Sequence, residues 1–279
     1  MELLERLKEQ GVRRPVASGL GSLDLLMDGG FRPGLHTLGG QPGAGKTSFG
    51  TQLMLQMAAT MPAIYFSAEP TVEELLSRLL AAESRCQLRS LLDGKPNAIA
   101  KAFEAVDRLP LGSVYVLRDD RAAGGSVAGL GRVVSQVADH HGEAPFVAVD
   151  YLQKLDPGPS GERDEKRVAV SRCSAALATL VRDRDLTALV ISSLNRASYK
   201  AAPSLDAFKE SGDIEFDADV AMVLRAPPDD DKYSDTQRLP VGQELRELWI
   251  VKHRFGPVST TPLSLVFDGR FGSFQSVEP

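Results

Sequence analysis

Short apolar runs alternate along most of this chain with longer stretches in which apolar residues recur every three to four positions. The first kind reads as buried strands and the second as amphipathic helices. Strands are expected at Leu35–Gly39, Ala63–Ser67, Val114–Leu117, Phe146–Asp150, Ala188–Ser192, Val220–Leu224, Leu248–Lys252 and Leu263–Phe267. Helical spacing covers Thr47–Thr60, Val72–Glu83, Ala98–Arg108, Gly131–His141 and Arg167–Arg184. Strand–helix alternation over the first two thirds of the chain predicts an α/β fold, a mostly parallel sheet with helices on both faces. The last three strands have no helix between them, which predicts an antiparallel C-terminal extension. Ahead of all this, residues 2–10 form a short amphipathic pattern, with Leu3, Leu4 and Leu7 on one face and Gly11 ending it. So short a helix is unstable alone and needs a surface to dock on. Residues 1–14 are therefore set apart from a single domain over 15–279.

Composition narrows the class. A 43% hydrophobic content is ample for a large core, and the formal net charge of −5 excludes a globally basic nucleic-acid binder. A ring could still gather positive charge on a few loops lining a channel. Cys86 and Cys173 match no metal spacing and read as reduced structural thiols. The first ten residues lack the apolar core of a signal peptide, and no apolar run approaches the ~20 residues that span a bilayer. A soluble cytoplasmic protein without a membrane partner is expected.

The sharpest chemical signal is Gly40-Gln41-Pro42-Gly43-Ala44-Gly45-Lys46-Thr47, with Ser48 following in the first turn of the helix behind it. A glycine-rich loop between a strand and a helix turns successive backbone N–H groups toward a phosphate. In such a loop Lys46 reaches the β- and γ-phosphates of ATP and Thr47 ligates Mg²⁺. Asp150, at the end of the apolar run PFVAVD, suits a carboxylate that holds water on that Mg²⁺, or else a capping residue. Glu69, just after AIYFSA, could polarise an attacking water at the same sheet edge. It could equally be a carboxylate favoured by the helix start that Thr71 and Glu74 announce with a capping box, and the residues alone favour this second reading.

GLGSLDLLMDGG, YFSAEPTVEELLSRLL, VDYLQ, ISSLNR, FKESGDIEFDAD and VKHRFGP follow one another in that order. Together they resemble the ATPase domain of DnaB-type replicative helicases, from about Val16 to the C-terminus. The resemblance implies a RecA-like fold, a homohexameric ring with ATP at subunit interfaces, single-stranded DNA as track, and a primase or helicase loader as partner. The family's N-terminal primase-binding domain has no counterpart ahead of Val16, where only the 2–10 helix stands in the place of a linker helix that docks on the neighbouring subunit, or serves as an ordinary intramolecular helix. By the family motif Glu69 becomes the catalytic base, and Arg78 falls where an arginine lies near the nucleotide, or on a solvated helix face. Lys252 and Arg254 match a basic pair that reaches the γ-phosphate of the adjacent subunit; strand alternation would put both on one face, where they could also serve as edge charges. Lys209, Glu210 and Gly212 match the loop that grips the DNA backbone, with lysine where arginine is usual, or form a plain turn. The loop after Asp150, with Lys154, Arg163, Lys166 and Arg167, is a second candidate for the DNA grip, or a solvated loop in view of its acidic neighbours. One departure matters: Ser193 stands where the family has a glutamine that senses the γ-phosphate. KaiC- or RadA-like ATPases share the SGLGSLD lead-in and the glutamate after the second strand, so they stay open as an alternative. So does an ATP-binding assembly module without unwinding activity.

Overall fold

The computed structural model describes residues 15–118, 126–156, 165–199, 201–208, 214–228 and 239–277. The 2–10 helix, Arg163, most of the PPDDDKYSDTQ loop and the Lys209–Asp213 stretch lie outside the described residues. The elements in chain order are α1 (Gly21–Leu26), β1 (Gly34–Gly40), α2 (Lys46–Ala58), β2 (Ala63–Ser67), α3 (Val72–Ser84), α4 (Leu88–Leu92), α5 (Pro96–Val106) and β3 (Val114–Arg118). There follow α6 (Val127–His141), β4 (Phe146–Asp150), α7 (Lys166–Asp183), β5 (Thr187–Ser193), α8 (Ile214–Asp217), β6 (Val220–Arg225), β7 (Gln243–His253), β8 (Leu263–Asp268) and β9 (Ser273–Ser276).

All nine strands form one sheet in the order β3-β2-β4-β5-β1-β6-β7-β8-β9. Strand alternation sorts their side chains onto two cores. Tyr65, Phe146, Ala148, Leu189 and Met222 face one side with Phe49, Leu53, Met54 and Met57 of α2. Ile64, Phe66, Val147, Val149 and Val190 face the other with Val134 of α6 and Leu177 of α7. This is the expected α/β arrangement, a RecA-like sheet with helices on both faces.

The last three expected strands do pair antiparallel, β6 with β7 and β7 with β8, and β9 adds one more antiparallel strand; β6 in addition pairs parallel with β1, so it joins the extension to the parallel sheet. α8, the single turn Ile214–Asp217, lies just before β6. β7 is also longer than predicted, because Gln243–Glu247 is mostly charged and hides the strand signal. Those charges are held in place: Glu247 accepts from Arg225 Nε at 2.8 Å and from Trp249 Nε1 at 3.0 Å. The predicted capping box of α3 is present, with Thr71 Oγ1 accepting from Glu74 N–H and Glu74 Oε2 accepting from Thr71 N–H. The SGLGSLD lead-in is a structural device: Asp24 Oδ1 accepts Ser18 N–H at 2.6 Å, and Leu23 is fully buried. Both cysteines are buried and free. No helix among the described residues is long and apolar enough to cross a membrane.

Candidate functional site

In a parallel sheet the C-terminal strand ends share one edge, and here the register brings the candidate residues to it. Gly40 pairs with Ser193, Asp150 with Ile191, and Ser67, two residues before Glu69, with Asp150. β1 leaves this edge as the glycine loop. Gly43 (φ +80°) and Gly45 (φ +98°) adopt left-handed backbone that side chains resist. A Cβ at Gly45 would also fall 2.7 Å from the Phe274 ring. α2 starts at Lys46 with no side chain capping it, so its first N–H groups are left for an anion. Lys46 Nζ donates to the carbonyls of Gly40 (2.8 Å) and Gln41 (3.0 Å), within its own loop. Burial lowers its pKa, opposed by the charges of Asp150 and Glu69.

Asp150 ends β4 almost fully buried, and its Oδ2 accepts from Thr47 Oγ1 at 2.7 Å and from Tyr65 OH at 2.9 Å. Burial raises the pKa of this carboxyl, and the two donors pull it back down. Glu69 is exposed and lies 3.6 Å from Lys154 Nζ. Arg78, on α3, has a buried Nε with no hydrogen-bond partner among the described residues. These groups border a cleft of about 430 Å³, lined by Pro42, Gly43, Gly45, Lys46, Thr47, Ser48, Glu69, Arg78, Asp150 and Ser193, with Tyr151, Ile191 and Phe267 closing it. Gln41 and Ala44 shape the loop from behind: Gln41 receives Lys46, and the Ala44 carbonyl accepts from Arg246 Nε at 3.2 Å.

The residues fit a magnesium nucleotide. The orphaned Arg78 Nε, the uncapped helix start and the loop glycines all suit phosphate. Among the described residues no cluster of three or more His, Cys, Asp or Glu stands ready for a metal. A hard cation here would therefore draw on Thr47, Asp150, phosphate oxygens and water, the habit of Mg²⁺.

The basic pair lies elsewhere. β7 ends at His253 and runs antiparallel to β6, which puts Lys252 and Arg254 at the edge of the sheet opposite the glycine loop. The seven residues of β1 separate the two edges by roughly 20 Å at ~3.3 Å per residue. Strand alternation does not extend to Arg254, which sits in the turn after β7. It is half exposed and pairs with Asp219, Nη1 to Oδ1 at 2.7 Å. Lys252 Nζ lies 3.5 Å from the Phe216 carbonyl. Lys209, Glu210 and Gly212 are outside the described residues. The segment leading to them is tied to β5, since Leu194 and Phe208 form an antiparallel bridge and Asn195 N–H donates to the Ala207 carbonyl at 2.7 Å.

Sequence reading missed several neighbours of the cleft. Tyr65 reads as a core residue of an apolar strand, and only pairing of β2 with β4 brings its hydroxyl to Asp150. Gln153 donates to Ser192 Oγ at 2.8 Å and accepts from Ser193 N–H at 3.2 Å, linking the turn after Asp150 to the end of β5. Arg246, Phe267 and Phe274 brace the loop from the antiparallel strands, over 190 residues away in sequence, which no local pattern announces.

Comparison with known proteins agrees with the fold. The replicative DNA helicase DnaB of Geobacillus stearothermophilus is 26% identical over 270 residues, covering 94% of this chain and 57% of that protein. The chain thus spans a little over half the length of that curated relative. A solved ATPase domain, that of the protein named G40P, superposes with a TM-score of 0.81 at 25% identity, over 99% of this chain and 98% of that one. A KaiC-like protein from Pyrococcus horikoshii OT3 has a TM-score of 0.63 at 19% identity, over 96% and 100% of the two chains, which shows the shared fold alone. The family model described as DnaB-like helicase C terminal domain matches residues 15–276, and the chain belongs to that family.

Proposed function

We propose that this chain is the motor of an ATP-dependent, ring-forming DNA helicase or translocase of replication, hydrolysing ATP between subunits to move on single-stranded DNA. One observation carries the reading: Lys46, Thr47, Asp150 and Glu69 converge on one sheet edge, while Arg254 stands at the other, some 20 Å from its own cleft. A second copy, in a hexamer, supplies it. In this reading Lys46 leaves its loop carbonyls for the β- and γ-phosphates, and Arg78 donates its free Nε to a phosphate oxygen. Thr47 and Asp150 would hold Mg²⁺, which would supply positive charge against that developing on the transferred phosphoryl group. Glu69 orients the attacking water and accepts its proton, and Arg254 with Lys252 from the next subunit faces the γ-phosphate.

The grip on DNA falls to Lys209, Glu210 and Gly212. Their approach segment is bridged to the strand that ends at Ser193 in the cleft, which supports a mechanical path from ATP to DNA. Ser193 favours a second reading, an ATPase that assembles and hydrolyses with weak coupling to DNA, because serine cannot span to a phosphate as glutamine does except through water.

Forked-DNA unwinding and DNA-stimulated ATPase separate the two. For the weakly coupled reading, single-stranded DNA raises turnover little and Ser193→Gln increases the response. Strong stimulation of the wild type that Ser193→Gln leaves unaltered excludes Ser193 as the weak link and favours the motor. Absence of both unwinding and stimulation, in wild type and variant alike, rejects the motor.

A further inference from the structure

Arg254 is not aimed by its strand, because β7 stops one residue before it. What holds it is Asp219. The carboxylate meets the guanidinium, Oδ1 to Nη1 at 2.7 Å, while Arg254 N–H donates to the Asp219 carbonyl at 2.8 Å, so the arginine is clasped at both ends. Asp219 is itself pinned to the start of β1. Its Oδ2 accepts Leu35 N–H at 2.9 Å, and its N–H donates to the Leu35 carbonyl at 2.8 Å. Gly34 makes room for it, since a Cβ there would fall 2.8 Å from Asp219 Oδ2. The arginine side chain is 49% exposed against 19% for the aspartate, so a fixed anion holds a cation that faces outward.

We propose that Asp219 is the positioning residue for Arg254: it orients the guanidinium before assembly, so that the group enters the neighbouring subunit's cleft already aimed. The proposal rests on the reading of Arg254 as acting in trans. Fixing a catalytic cation in advance lowers the entropy lost at the transition state, and a small misplacement is costly. An ordinary exposed ion pair, by contrast, contributes little to stability. The two accounts differ in what is lost when the charge goes.

The experiment uses the full chain carrying Asp219→Asn, which keeps the side-chain shape and an acceptor for Leu35 N–H. At saturating ATP we expect kcat to fall about ten- to a hundredfold with KM for ATP changed less than about twofold. Melting temperature and assembled mass should match the wild type. Asp219→Glu, which restores the charge, should recover part of the rate. Mixing Asp219→Asn with Glu69→Gln subunits should restore turnover, because the second kind brings a correctly held Arg254 to the first kind's intact cleft. A wild-type kcat in Asp219→Asn beside an inactive Arg254→Ala overturns the positioning role and leaves the trans reading standing. A wild-type kcat in Arg254→Ala overturns the trans reading itself. Loss of assembly, a rise in KM in place of a fall in kcat, or mixtures that stay inactive would each make Asp219 a structural residue and end the proposal.

Discussion

The two ends of β1 carry opposite kinds of chemistry. At its C-terminal end the strand opens into the glycine loop, where Lys46 rests only on backbone carbonyls, and nearby on α3 Arg78 Nε has no partner among the described residues. At its N-terminal end the charges are matched, with Asp219 holding Arg254 and being held in turn by Leu35. An edge that receives a ligand keeps donors available and accepts the cost of desolvating them. On the proposed reading the other edge contributes to a neighbour's reaction, and there the charge is kept paired and oriented until it is needed.

The largest effect should come from the receiving edge. Lys46→Ala should take ATP hydrolysis below detection while the melting temperature stays level or rises, since a partly buried cation bonded only to carbonyls is removed. Persisting turnover would show that this edge is not the phosphate site. Next in size is the contributing edge. Arg254→Ala should slow hydrolysis on the order of 10³-fold or more, by comparison with other trans-acting arginines. Mixed with Glu69→Gln it should regain activity, and a mixture flat at zero would return both edges to one subunit.

His36 lies midway along the strand joining the two edges, 2% exposed, with Nδ1 3.1 Å from the Ala188 carbonyl. Burial lowers its pKa from 6.5 to about 4. The unfolded chain therefore binds a proton that the folded one refuses between those values. Stability is complete above pH 6.5 and declines as pH falls toward 4, by about 3 kcal/mol in all. Thermal melts should show His36→Gln losing that slope, and an unchanged slope would mean that the ring titrates freely. The smallest effect belongs to Tyr65→Phe. Without its donor the Asp150 carboxyl should protonate at higher pH, moving the acid limb of the ATPase profile upward, with a loss of about 1 kcal/mol in stability. An acid limb that does not move would leave Tyr65 as packing alone.

Which residues were legible in the sequence follows from the range of the physics involved. Strands buried on both faces announce themselves as apolar runs, and the glycine loop does so because its backbone tolerates few other residues. Asp150 and Glu69 can be placed at the same edge because parallel strands end together, although the residues alone favour a helix-start role for Glu69 and only the family resemblance makes it a candidate base. Arg246 is hidden in a charged strand, the parallel pairing of β6 with β1 spans some 180 residues, and Tyr65 reads as core unless β2 and β4 are paired. Asp219, at the end of the motif that begins with Phe208 and Lys209, cannot be linked to Arg254 without the β6–β7 register.

The brace behind the glycine loop also has a consequence for the order of folding. Gln52, on the helix that follows Lys46, donates to the Phe274 carbonyl at 3.0 Å and accepts from Phe274 N–H at 2.7 Å. The Phe274 ring packs at the place a Gly45 side chain would need. These contacts close over more than 200 residues, and so large a separation makes their formation a late event. A chain emerging from the ribosome can thus build β1, α2 and β2 long before its phosphate loop is fixed. The backing that Phe274 gives to Gly45 is in place only after β9 has been made and docked.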